Sequence, residues 1–189
     1  ELLTEVIKEC PNISDPFHTL GLVYEADGDV RRALDFYMIA AHLTPRDVAL
    51  WKRLASLSTE LAFYRQAIYC LTRVIMRNKQ DLDALWDRAV LYAEVGETGR
   101  AVAQFHKIGK LRPGDPEVPK MIARLHHRSG HAPRAMAALQ DFMVAFPDAS
   151  DLTHVNILGE LYMEAGHYEE TRTLIERAER LVADGEGLP

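Results

Sequence analysis

The sequence predicts an all-α fold, an α-solenoid of stacked helical hairpins. Three series of residues predict it. Pro11, Pro45, Pro113 and Pro147 punctuate the chain at multiples of 34 positions, with Lys79 in the vacant place. Ala33, Ala67, Ala101 and Ala135 keep that interval without a gap, and so do the large apolar residues Tyr37, Leu71, Phe105 and Leu139. Phe17 and Trp51 begin a fourth series. Several series in one phase mark an internal repeat. A repeat of this kind is a supersecondary unit that buries its apolar face only by stacking on its neighbours.

Each unit reads as a helix A, a tight turn and an antiparallel helix B. Residues 1–13 read as the second helix of an incomplete unit, and full units follow at 14–47, 48–81, 82–115 and 116–149. A fifth, at 152–185, is shifted in phase by two residues, because Gly159, Tyr162 and Gly166 fit only if it starts near Leu152. The extra residues fall in Pro147-Asp148-Ala149-Ser150-Asp151, a loop where insertion is tolerated. Gly21, Ala55, Ala89 and Ala123 stand where helix A touches helix B closely, and the alanine series opens helix B against helix A. Large apolar residues fill the space that these small ones leave. Gly28-Asp29, Gly96-Glu97 and Gly130-His131 supply the left-handed turn that ends helix A, whereas the second unit has Ala62-Phe63 there. Proline near the end of helix B stops it, and Pro119 falls in a first helical turn, where proline is tolerated. Thr171 replaces the alanine of the fifth unit, and the tail from Asp184 to Gly187 is expected to fray. Opening in mid-unit, the chain is expected to be an excerpt of one continuous array in a longer protein.

This period with this residue set resembles the tetratricopeptide repeat (TPR). The resemblance implies a right-handed superhelix whose concave groove is lined mainly by A helices. It also implies a chain that holds other proteins and is not an enzyme.

Bulk properties narrow the function classes. A net charge of −6, from 22 basic and 28 acidic residues, argues against a surface that grips nucleic acid by bulk charge. Cys10 and Cys70 are two isolated cysteines, too few for a disulfide framework, and read as packing residues. No apolar run reaches the roughly 18 residues that a membrane helix needs, so no membrane partner is expected.

Catalytic constellations are not found. Gly185-Glu186-Gly187 has no strand before it, and no serine or cysteine lies in a nucleophile motif. His126, His127 and His131 lie close in sequence, but no cysteine or carboxylate completes a ligand set, so they read as one core and two turn histidines. Glu169, Glu170 and Glu176 read as solvated helix faces. No catalytic residue, cofactor, metal or small-molecule substrate is therefore assigned.

The groove carries the informative residues. Repeat positions place His18, Leu22 and Glu25 along it, then Lys52, Arg53 and Ser56, then Asp83, Trp86 and Asp87, then Lys120, Arg124 and Arg128. Lys52, Arg53, Trp86, Asp87, Lys120, Arg124 and Arg128 are the candidate partner-binding residues. A tryptophan flanked by arginines points to an acidic, apolar peptide, since aromatic and arginine anchors dominate such interfaces. The alternative is that Trp86 fills the seam between repeats. The family's carboxylate clamp and asparagine ladder are both absent, because those positions read His18, Leu22, Arg53, Ser56, Asp83, Asp87, and Thr19, Arg53, Asp87, Met121.

A narrower resemblance lies in the first half. Glu5-Val6-Ile7-Lys8, Asp15 to Leu20, Ile39 to Pro45, Trp51 to Ala55 and Gln66 to Cys70 resemble the TPR subunit of transcription factor IIIC (TFIIIC), as does Leu85-Trp86-Asp87-Arg88. Beyond about position 115 the resemblance is to the repeat pattern. It implies a nuclear scaffold in RNA polymerase III transcription, with other TFIIIC subunits and components of initiation factor IIIB (TFIIIB) as partners. Other readings are a scaffold in a cell-cycle ligase or RNA-processing assembly, and a regulatory module attached to an enzyme. Direct DNA contact through the basic groove residues is the less favoured option.

Overall fold

The structure, a computed structural model, describes residues 2–185. Every regular element in them is helical, and they fall into two compact units, 1–97 and 98–189. In the first unit lie α1 (Leu2–Glu9), α2 (Ser14–Ala26), α3 (Val30–Leu43), α4 (Val48–Glu60), α5 (Tyr64–Arg77) and α6 (Leu82–Glu94). In the second lie α7 (Thr98–Leu111), α8 (Glu117–Arg128), α9 (Ala132–Ala145), α10 (Leu152–Ala165) and α11 (Tyr168–Gly185), with a 3₁₀ turn at Pro147–Ala149. The unit boundary falls inside the predicted span 82–115, between α6 and α7. Within each unit, helices adjacent in sequence pack on one another. Asp184 and Gly185, expected to fray, belong to α11, while Glu186 and Gly187 lie outside the described residues. Among the described residues no helix is long and apolar enough to cross a membrane.

The periodic residues form the cores. Ala33, Ala67, Ala101 and Ala135 are wholly buried, and Tyr37, Leu71, Phe105 and Leu139 are buried beside them. Thr171 is buried too, and its hydroxyl donates to the His167 carbonyl at 2.9 Å, so the polar replacement leaves no orphaned group. Gly21 shows why that position is small: a Cβ there would lie 2.5 Å from two ring carbons of Tyr37. Cys70 is buried, which pushes its thiol up to about 12, while Cys10 is exposed and so is not the packing residue expected.

Turns and caps set the helix ends. Gly28, Gly96, Gly130 and Gly166 adopt left-handed φ values of 81°, 80°, 73° and 76°. Ala62 takes the same turn at φ 58°, among the described residues the only non-glycine to do so. A left-handed alanine costs roughly 1–2 kcal/mol through its Cβ. Ala62→Gly is therefore expected to raise stability by about 1 kcal/mol, read as a higher urea midpoint with an unchanged slope. At the other end, aspartates cap α4, α6 and α10. Asp47 accepts from the Leu50 amide at 3.0 Å, Asp81 from Ala84 at 3.0 Å, and Asp151 from Thr153 and His154 at 2.9 and 3.1 Å.

Candidate protein-binding surface

Helices α4 and α6 both pack on α5. Between them lies a cleft of about 470 Å³. Ala55, Leu71, Ala84, Val90 and Leu91 give it apolar walls, and half-buried Trp86 lines it with them. Lys52, Glu60, Asp83 and Asp87 add charge around it. Trp86 thus borders the cleft.

The charges are unequally committed. The Lys52 ammonium lies 2.8 Å from Asp81, the carboxylate that caps α6. Burial alone would raise the Asp81 carboxyl, but Lys52 and the Ala84 amide hold it below the usual range. Asp83 and Asp87 sit one turn apart on α6, and among the described residues neither has a cation within ion-pairing distance. Desolvation, and then repulsion from Asp83, raises the Asp87 carboxyl above the ordinary range.

Arg53 stands apart from this cleft. It pairs with Glu25, whose carboxylate also accepts from the buried Tyr37 hydroxyl at 2.8 Å. Arg88 lies half-buried over the Tyr92 ring and donates to Thr72 at 3.1 Å. Of the arginines expected near Trp86, Arg53 thus turns to Glu25, and Glu60, Asp83 and Asp87 stand around the cleft that the indole lines.

In the second unit α8 carries the other candidates. Arg124 and Arg128 are exposed, and Arg124 reaches the Met121 sulfur at 3.9 Å. Lys120 departs from expectation. It is 3% exposed, and its ammonium lies 2.7 Å from Asp151 and 2.9 Å from Glu117. It acts inside the fold as an ion-pair partner and is not presented to a ligand. Burial works against its charge, but the two carboxylates prevail and raise its pKa. His154 completes this cluster. Fully buried, it stacks on Phe142, donates from Nε2 to the Pro116 carbonyl at 3.0 Å, and closes a capping box with Asp151. Nothing in the sequence reading had marked His154. The available signal was the aspartate series at 47, 81 and 115, which resumes at 151 after the two-residue shift.

His126 is half-buried beside His131, and burial, then Arg134, pushes its imidazole below the ordinary range. Among the described residues no group of three His, Cys, Asp or Glu is placed to hold a metal.

Solved structures establish the architecture. The chain superposes on YrrB, described as a TPR protein with an unusual peptide-binding site, with TM-score 0.60 and 15% identity, covering 94% of this chain and 91% of that one. It superposes on the Naa15/Naa10 complex bound to HypK-THB with TM-score 0.80 and 16% identity, covering 93% of this chain and 28% of that one. Curated relatives narrow it further. Human general transcription factor 3C polypeptide 3 is 30% identical over 176 residues, covering 90% of this chain and 20% of that protein. The 131 kDa subunit of Saccharomyces cerevisiae transcription factor tau is 34% identical over 125 residues, covering 66% of this chain and 12% of that protein. The chain is a TPR protein that resembles the TFIIIC subunit of this class. This TPR array spans a fifth or less of the length of those relatives. No family model matches it. The relatives of the array are transcription-factor subunits, not enzymes.

Proposed function

We propose that this array is a non-catalytic scaffold of a TFIIIC-type complex in the nucleus, binding other subunits and recruiting TFIIIB components for RNA polymerase III initiation. The likeness to general transcription factor 3C polypeptide 3 across 90% of the chain carries the reading. The α4/α6 cleft supports it with an apolar, tryptophan-lined surface open to a partner. The repeat division at 14–47, 48–81, 82–115, 116–149 and 152–185 belongs to the same proposal, supported by two α-helices falling within each span. Direct DNA binding is disfavoured, because Lys52, Arg53 and Lys120 are already held by carboxylates.

Crosslinking mass spectrometry on the native complex tests this. Crosslinks are expected from lysine and acidic side chains around α4, α6 and α8 to other subunits of the transcription complex. Crosslinks to an unrelated assembly, or DNA affinity falling steeply with salt, would overturn it.

A further inference from the structure

We propose that the cleft between α4 and α6 seats a short apolar segment of a protein partner that carries lysine or arginine side chains. The inference rests on the scaffold reading and deepens it. Around the cleft stand three carboxylates, Glu60, Asp83 and Asp87, against one lysine. That lysine is already drawn 2.8 Å from Asp81. A basic residue arriving here meets two carboxylates on one helix face with no cation among the described residues within ion-pairing distance, whereas an acidic one adds a like charge to the set. The raised Asp87 carboxyl reports the same frustration, since desolvation and Asp83 oppose its charge. An incoming cation offsets the repulsion. The walls of the cleft are apolar, so charge alone does not describe its ligand. Trp86 lines the cleft, and large aromatic residues in partly enclosed sites dominate binding. The volume of about 470 Å³ suits a few side chains and not a folded domain. The ligand's charge is therefore opposite to that expected from the sequence, where Arg53 was counted at this place.

The test uses short fluorescein-labelled synthetic peptides with the purified chain, read by anisotropy. One alternates leucine with lysine, one leucine with glutamate and one serine with lysine. The leucine–lysine peptide is expected to bind, and D83N/D87N and W86A are each expected to weaken it roughly tenfold or more. E169Q/E176Q, which removes two exposed carboxylates from α11, is expected to leave binding unchanged, and circular dichroism melts check that each variant folds. Equal or tighter binding of the leucine–glutamate peptide overturns the proposal. So does equal binding of the serine–lysine peptide, or an equal loss in E169Q/E176Q, which would mark attraction to net charge alone. Crosslinking of the native complex separates the two levels. If subunit crosslinks persist but the leucine–lysine peptide fails to bind, the cleft proposal falls and the scaffold stands. If no subunit crosslinks form, both fall.

Discussion

Replacing Asp151 with alanine is expected to lower the unfolding free energy by about 3 kcal/mol, measured by urea titration. Two losses add. The carboxylate caps α10, and a cap is worth roughly 1 kcal/mol. It also neutralises Lys120, whose side chain is 4% exposed. A buried ammonium stripped of a partner loses more than the pair ever contributed. Lys120→Met is the informative contrast: it replaces the cation with an apolar chain of similar length and is expected to cost under about 1 kcal/mol. In the double variant the penalty for Asp151→Ala shrinks toward that of the cap alone, and an additive result would refute the pairing. The pH dependence has a definite sign. The Asp151 carboxyl is desolvated, but Lys120 and His154 together hold it below 3.8. Its contribution is present above that pH and is lost as pH falls through the lower, folded value. The Lys120 ammonium lies above 10.5, so its contribution is present below that pH and is lost as pH rises through the folded value. Acid titration should therefore narrow the gap between Asp151→Ala and the parent chain.

Gly21→Ala is expected to destabilise by about 2 kcal/mol, although helix propensity alone favours alanine by roughly 1 kcal/mol. The added Cβ meets the Tyr37 ring at 2.5 Å. That ring is 1% exposed, and its hydroxyl is fastened to Glu25 at 2.8 Å, so it has little room to yield. Tyr37→Leu should recover part of the loss in the double variant. A Gly21→Ala protein as stable as the parent would show that the ring moves freely.

The repeat was legible because its packing constraints recur at fixed intervals. A wholly buried alanine at 33, 67, 101 and 135 admits no larger residue, so the pattern survives in the letters. Ala62 was harder, because its left-handed turn is imposed by the hairpin around it against its own preference. The candidate site was legible only in part. Lys52, Trp86 and Asp87 do share a cleft, since their positions follow helix geometry. Lys120 could not be read correctly, because it points at a carboxylate about thirty residues away, Asp151, just as the exposed Arg53 reaches Glu25. Whether a long cation faces solvent or a partner depends on such distant pairings, not on its own periodic place.

The two lysine–aspartate pairs have a further consequence. Lys52 and Lys120 hold equivalent places on their helices, and each grips the aspartate that begins the next A helix, Asp81 or Asp151. Counted along the chain the two grips differ by two residues, yet counted from the helix start they are the same. The fastening is thus indexed to the helix start and ignores the length of the linker before it. Such an arrangement lets linkers be lengthened or spliced during evolution while α4 stays fastened to α6 and α8 to α10.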